Sequence, residues 1–262
     1  MPAETTPVVQ MRGIVKNFGP VQALRGVDLR LDRDEVLGLV GDNGAGKSTL
    51  MKVLTGVHQP DGGQIFFESQ PVHFTSPHDS REIGIEMVYQ DLALAGNLSV
   101  DGNIFLGREM TRDYLGGLIK LLDHQGMARE AVQLLERLRI DIRSVNYRVE
   151  TLSGGQRQAV AIGRSAGFQA KVVIMDEPTA ALAVKEVSKV LDLINGLKDH
   201  DVGVVLISHR LQDIFAVCDR IMVLRQGRVV GNIPKSDTHM DEIVALITGA
   251  QESAMRDLRE VA

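Results

Sequence analysis

Eight residues constrain this chain more than any others: Gly41-Asp42-Asn43-Gly44-Ala45-Gly46-Lys47-Ser48. They follow a short apolar run, Val36 to Val40, and precede a segment in which Leu50, Met51, Val53 and Leu54 keep helical spacing. The run is too short for a helix. Its unbroken apolar character is that of a strand buried on both faces of a parallel sheet. A glycine-rich turn between such a strand and a helix matches G-x-x-x-x-G-K-[ST], a phosphate-binding loop. Glycines let successive backbone N–H groups turn inward on an anion, and the helix start adds its positive dipole end. Lys47 supplies a point charge for β- and γ-phosphates, and the Ser48 hydroxyl suits Mg²⁺. Gly41, Asn43, Gly44, Ala45, Gly46, Lys47 and Ser48 are therefore the candidate nucleotide-binding residues, with Thr49 next to them. The same loop does not fit G-x-G-x-x-G, which disfavours a dinucleotide.

Around this loop the chain alternates between strand and helix patterns. Residues 7–35 read as short strands with turns, and Gln64 to Phe74 as paired strands. Further strands are expected at Ile85 to Tyr89, Val172 to Met175, Val202 to Ile207 and Ile221 to Leu224, the last closing a hairpin at Gln226-Gly227. Residues 97–166 read as mostly helical. Strands alternating with helices predict an α/β fold with a parallel core sheet, into which the helical block is inserted.

Val172 to Met175 runs into Asp176-Glu177-Pro178. In a parallel sheet the C-terminal strand ends share an edge with the phosphate loop. Asp176 can then reach a Mg²⁺ shell, and Glu177 can orient or deprotonate an attacking water. Alone, this segment reads equally well as a strand capped by two solvated acids, and the phosphate loop decides between the two. His209 follows another strand end and is a candidate γ-phosphate contact, although a lone histidine is more often structural.

Composition narrows the class of partner. The 262 residues carry a net charge of −5, with no sign of the electropositive footprint that holds duplex nucleic acid. A single cysteine excludes a disulfide framework and any multi-cysteine metal site, and Cys218 reads as inert core on a partly apolar helix. No stretch approaches the roughly 18 to 20 consecutive apolar residues of a membrane span. A soluble, cytoplasmic protein is expected, anchored by something else if it acts at a membrane.

Leu152-Ser153-Gly154-Gly155-Gln156 reads alone as a serine N-cap with a glycine turn, or as an anion site at a helix start. Its order, after the phosphate loop and just before the acidic strand, resembles the ATP-binding cassette (ABC) family, in which it is the signature motif. Gln90 stands where that family has its Q-loop glutamine, His209 where it has the switch histidine, and Phe18 where it has an aromatic that stacks on adenine. The resemblance runs from about Val8 to Gly231. It implies a RecA-like P-loop core at 7–90 and 167–235 with an antiparallel β subdomain, a helical subdomain at 91–166 and a C-terminal helical tail at 236–262. It also implies ATP and Mg²⁺ as cofactors, with Ser48, Gln90 and Asp176 at the metal and Glu177, His209 and Gln90 at the chemistry. Two cassettes would pack head to tail, so that Ser153, Gly154, Gly155 and Gln156 act on the ATP of a partner copy.

Asn97-Leu98-Ser99-Val100, Asn103 to Glu109 and Glu177-Pro178-Thr179-Ala180-Ala181-Leu182 narrow the resemblance to ATPases of bacterial monosaccharide importers of the ribose, galactose and fructose type. One cassette rather than two makes the fructose-type systems the preferred match, with a homodimer as the unit. The implied partners are permease subunits, docked near Leu92 to Phe105 at the cytoplasmic face of the inner membrane, and indirectly a periplasmic sugar-binding protein. Ala183 departs from the aspartate that many ABC proteins carry there. Two other classes compete. One is a non-transport ABC ATPase acting on nucleic acid or the ribosome, opposed by the negative charge. The other is a small P-loop kinase or GTPase, opposed by the missing N-K-x-D string.

Overall fold

The computed structural model describes residues 6–114 and 119–250. Its central layer is a six-stranded sheet built around the strand before the phosphate loop. Strand β1 (Val9–Phe18) and β2 (Val21–Leu31) precede β3 (Val36–Val40), which leads into α1 (Lys47–Leu54). Next come β4 (Gly62–Phe67), β5 (Gln70–Val72), α2 (Pro77–Glu82) and β6 (Ile85–Val88). The insertion holds α3 (Val100–Ile104), β7 (Thr111–Tyr114), β8 (Ile119–Leu122), α4 (His124–Arg137) and α5 (Gly154–Ala166). The chain closes with β9 (Val172–Asp176), α6 (Val184–Gly196), β10 (Gly203–Ile207), α7 (Leu211–Val217), β11 (Arg220–Arg225), β12 (Arg228–Pro234) and α8 (Met240–Thr248).

The central sheet has the order β12-β11-β3-β10-β9-β6. All its neighbours are parallel except the β11–β12 hairpin at its edge. Every residue of β3 and of β10 is buried, as continuous apolar runs require when both faces are covered. Alternate residues enter two different cores. Leu37, Leu39, Val205 and Ile207 pack with α1 and the first strands, whereas Val36, Val40, Val204 and Leu206 pack with the inserted helices and α6. Gly38 is the exception that permits this: a Cβ there would lie 2.9 Å from Ile214 Cγ2 and 3.0 Å from Cys218 Sγ, so glycine lets α7 lie close against the strand. Cys218 itself caps the C-terminal end of α7 rather than lying within a helix. Burial pushes its thiol well above the ordinary range, which fits the expectation of inert core.

The N-terminal region differs from the expected run of short strands. β1 and β2 are ten and eleven residues long. Register shifts around positions 11–15 break their pairing and bend it. Together with β4 and β5 they form an antiparallel sheet ordered β2-β1-β4-β5.

The insertion also departs from the helical expectation. β7 and β8 pair antiparallel, Thr111 opposite Leu122 and Tyr114 opposite Ile119. Thr111, Tyr114 and Ile119 are β-formers, which favours strands here. Helical periodicity in the longer segment after His124 masked this short local signal. The expected C-terminal tail is helical over Met240–Thr248, and its remainder from residue 251 lies outside the described residues.

Candidate nucleotide site

The parallel sheet brings three strand ends to one edge. Ile207 pairs with both Leu39 and Asp176, so the phosphate loop, the acidic strand end and the segment carrying His209 emerge side by side. Val88 pairs with Met175, which places Gln90, two residues past the end of β6 and exposed, on the same edge.

The loop is shaped by backbone contacts that only glycine permits. Gly41 has φ 149°, and a Cβ there would lie 2.0 Å from the Leu224 carbonyl oxygen. Gly46 has φ 107°, with the Ala23 carbonyl oxygen 2.8 Å from its would-be Cβ. Gly46 caps α1 with no side-chain hydrogen bond, which leaves the first N–H groups of the helix to an outside acceptor. The turn is closed by Ala45 N–H to the Asp42 carbonyl at 3.1 Å and by Gly227 N–H to the Ala45 carbonyl at 2.9 Å. Gly41→Ala is expected to destabilise the chain by about 3 kcal/mol or more, because the new methyl meets backbone rather than a mobile side chain. Urea unfolding of the variant measures this, and an unchanged midpoint would refute the close approach.

Lys47 Nζ donates to the Gly41 carbonyl at 2.6 Å and to the Asp42 carbonyl at 3.0 Å. Burial lowers its pKa, and the charges of Glu177, Asp176 and Asp42 oppose that shift. Asp176 shows the reverse: burial raises its carboxyl above the usual range, and the neighbouring Glu177 charge adds to the rise. A cation placed at Asp176 would relieve both effects.

Glu177 is the most constrained member. It sits in the left-handed region at φ 52°, uncommon for a residue with a side chain. Its N–H donates to the Ile207 carbonyl at 2.9 Å. Its carboxylate accepts the His209 N–H at 2.9 Å and lies 2.7 Å from His209 Nδ1. The imidazole is 71% exposed and the Glu177 side chain 17% exposed, so the pair faces the open side of the edge. Behind it the buried Thr179 hydroxyl donates to the buried Asp213 carboxylate. This ties the turn after Glu177 to the helix after His209. Sequence reading missed that pair, because its two members stand 34 positions apart with no shared local pattern.

Of the other expected residues, Ser48 and Thr49 directly follow Lys47, and the rest lie on other elements. Phe18 ends β1, is 44% exposed and meets the His58 ring edge-on at 5.2 Å between centroids. Ser48 is exposed and Thr49 half-buried at the start of α1. Ser153 caps α5 in a capping box: its hydroxyl accepts the Gln156 N–H at 3.3 Å, and the Gln156 side-chain oxygen accepts the Ser153 N–H at 3.1 Å. This geometry is that of the N-cap reading. Gly154 and Gln156 lie in the first turn of α5, which starts at Gly154. Ser153, Gly155 and Gln156 line a cleft of about 650 Å³ with Glu186 and Lys189, and no residue of the phosphate loop lines it.

The loop after Gln90 is fastened from two helices. Arg164 on α5 donates to the Leu92 and Ala93 carbonyls at 2.9 Å each. The buried Asn103 amide on α3 accepts the Ala95 N–H at 2.7 Å and donates to the Ala95 carbonyl at 2.9 Å. Beside this loop a groove of about 320 Å³ is lined by Tyr89, Ala93, Leu106, Arg108 and Arg164. Tyr89 and Leu106 are both 45% exposed there.

A phosphate loop facing an acidic strand end across a parallel sheet, with an inserted block that carries a second glycine turn, defines an ATP-hydrolysing P-loop cassette. The chain belongs to the ABC transporter family, whose profile matches residues 24–180. It is 46% identical to the xylose/arabinose import ATP-binding protein XylG of Sulfolobus acidocaldarius over 92% of this chain and 94% of that one. It is also 46% identical to the fructose import ATP-binding protein FrcA of Rhizobium meliloti over 94% of this chain and 95% of that one. Ribose import ATP-binding protein RbsA 1 of Rubrobacter xylanophilus matches at 44% over 93% of this chain but only 47% of its own length. Among solved structures, a nucleotide-free ATP-binding cassette from an ABC transporter superposes with TM-score 0.78 at 27% identity, covering 92% of this chain and 95% of that one. An ATP-binding cassette in its ADP conformation gives TM-score 0.77 at 26% identity, covering 93% of this chain and 96% of that one. Among the described residues no helix is long and apolar enough to cross a membrane.

Proposed function

We propose that this chain hydrolyses ATP to power import of a monosaccharide through a membrane permease, working as a head-to-tail pair of copies. The observation that carries this reading is the 46% identity to two sugar-import ATP-binding proteins, each matched over at least 94% of its own length. The negative net charge of −5 supports a protein partner over nucleic acid.

In this reading Lys47 and the N–H groups of the phosphate loop hold the β- and γ-phosphates, and Phe18 offers its open face to adenine. Mg²⁺ fits the residues present. Ser48, Asp176 and Gln90 offer hard oxygen donors, and no group of three or more His, Cys, Asp or Glu converges on a metal point among the described residues. Mg²⁺ takes few protein ligands when phosphates and waters supply the rest. When bound, it would neutralise charge on the phosphates. Glu177 orients the attacking water and accepts its proton. Its hydrogen bonds to His209 fix the carboxylate, and in this reading the imidazole contacts the γ-phosphate. Ser153, Gly154, Gly155 and Gln156 serve the ATP of the partner copy, which accords with a signature turn that shares no cleft with its own phosphate loop.

The groove at Tyr89, Leu106 and Arg164 suits a helix of the permease, which would hold this subunit at the cytoplasmic face of the membrane. A periplasmic sugar-binding protein would deliver the sugar, with fructose the first to try. The test is ATPase activity of the chain reconstituted in vesicles with its permease, against the chain with DNA or RNA. Stimulation several-fold by the permease and sugar-loaded binding protein is the expected result. Stimulation by nucleic acid alone would overturn the transport reading.

A further inference from the structure

Two segments leave the sheet edge side by side, and three rungs join them. One is the turn from Glu177 to Leu182 after β9. The other runs from Ile207, the end of β10, to Asp213 on α7. The first rung is main-chain, from the Glu177 N–H to the Ile207 carbonyl at 2.9 Å. The second is the Glu177 carboxylate, which accepts the His209 N–H and lies beside Nδ1. The third is the Thr179 hydroxyl, which donates to the Asp213 carboxylate with both residues buried. Arg210 Nε stands 3.6 Å from the same Asp213 oxygen, so Thr179 is the nearer of the two donors. The turn needs such a hold. Glu177 lies at φ 52° and Ala181 at φ 61°, two left-handed positions filled by residues with side chains. A backbone of this kind persists only where its surroundings over-determine it.

The third rung leads back to the phosphate loop. Ile214, next to Asp213 on α7, lies against Gly38 of β3, where a Cβ would stand 2.9 Å from Ile214 Cγ2. β3 ends at Val40, and Gly41 opens the loop. One path of contacts thus joins the strand of the phosphate loop to the Glu177 turn, through Gly38, Ile214, Asp213 and Thr179. Close packing along such a path leaves little play, because a packed interior has few voids. We propose that Thr179 and Asp213 are positioning residues for hydrolysis: their buried hydrogen bond fixes the Glu177 turn in the frame of the phosphate loop, and so sets where the base meets the attacking water. The proposal rests on the reading of Glu177 as that base. Thr179 and Asp213 act through Glu177 and transfer no proton themselves.

The experiment measures single-turnover hydrolysis of Mg-ATP by the full chain, with ATP affinity and a melting curve for each variant. Thr179→Val removes the hydroxyl and keeps the branched shape. Hydrolysis should slow by about ten- to a hundredfold, the scale of a misplacement of about 1 Å. ATP affinity should stay within about twofold of the parent. Thr179→Ser, which keeps the hydroxyl, should restore most of the rate. Asp213→Asn exchanges a charge-assisted bond for a neutral one of roughly half the strength and should slow hydrolysis several-fold. It takes the place of Thr179→Val if that variant does not fold. The Glu177→Gln background separates positioning from a merely structural role. There the base is already gone, so either substitution should cost little more, as residues acting through one group are not additive. A structural role predicts the same fold-loss in both backgrounds. An unchanged rate in the parent background, or an equal loss in the Glu177→Gln background, overturns the proposal alone. A Glu177→Gln chain that hydrolyses ATP undiminished overturns the reading of Glu177 as the base and the proposal with it.

Discussion

Lys47→Ala is expected to weaken ATP binding by about a hundredfold or more and to abolish uptake. Its ammonium group is already placed, bonded to the carbonyls of Gly41 and Asp42 within the loop. Burial lowers its pKa, but the carboxylates of Asp176 and Glu177 oppose that shift and favour the charged form. Removing the cation therefore does two things. The phosphates lose their nearest fixed positive charge, a charge-assisted contact of about 1.5–3 kcal/mol. Asp176 and Glu177 also lose the charge that balances them, which makes the site more repulsive to an anion. Calorimetric titration with ATP reads the loss, and a melting curve near that of the parent shows that the fold survives. A variant binding ATP within a few-fold of the parent would remove Lys47 from the site.

The second large effect is on turnover alone. Glu177→Gln keeps the shape of the side chain, and its amide oxygen can still accept the His209 N–H. It loses the base, so hydrolysis should fall by roughly 10² to 10⁴, the usual contribution of a positioned proton acceptor. ATP binding should persist. The substitution also removes the negative charge that helps raise Asp176. Asp176 then stays ionised to lower pH, so divalent-cation binding should extend further into the acid range than in the parent. Single-turnover hydrolysis together with a pH series of Mg-ATP binding separates the two consequences. Undiminished turnover would show that another group accepts the proton.

Much of this architecture is legible because its signals are local. The run Val36 to Val40 is continuous and apolar because both its faces are covered, and the strand has those very ends. Asp176 and Glu177 declare themselves by breaking another such run. The capping box of Ser153 and Gln156 spans three residues and is written in the motif itself. What escapes is long-range or masked. β7 and β8 are four residues each inside a segment dominated by helix formers. The link from Arg164 to Leu92 and Ala93 spans more than 70 positions.

The same α5 helix carries Ser153 at its start and Arg164 near its end. Eleven residues of α-helix measure roughly 16 Å, and a helix packed in a core does not bend on demand. The guanidinium grips the loop beside the groove, while the far tip presents the Ser153 turn. A displacement of about 1 Å at the gripped end, pivoting on the opposite tip, therefore tilts the rod by only a few degrees, yet that tilt re-aims every N–H group at the tip. One rigid rod thus joins the Leu92–Ala93 loop to the Ser153 turn, so a shift of either is felt at the other.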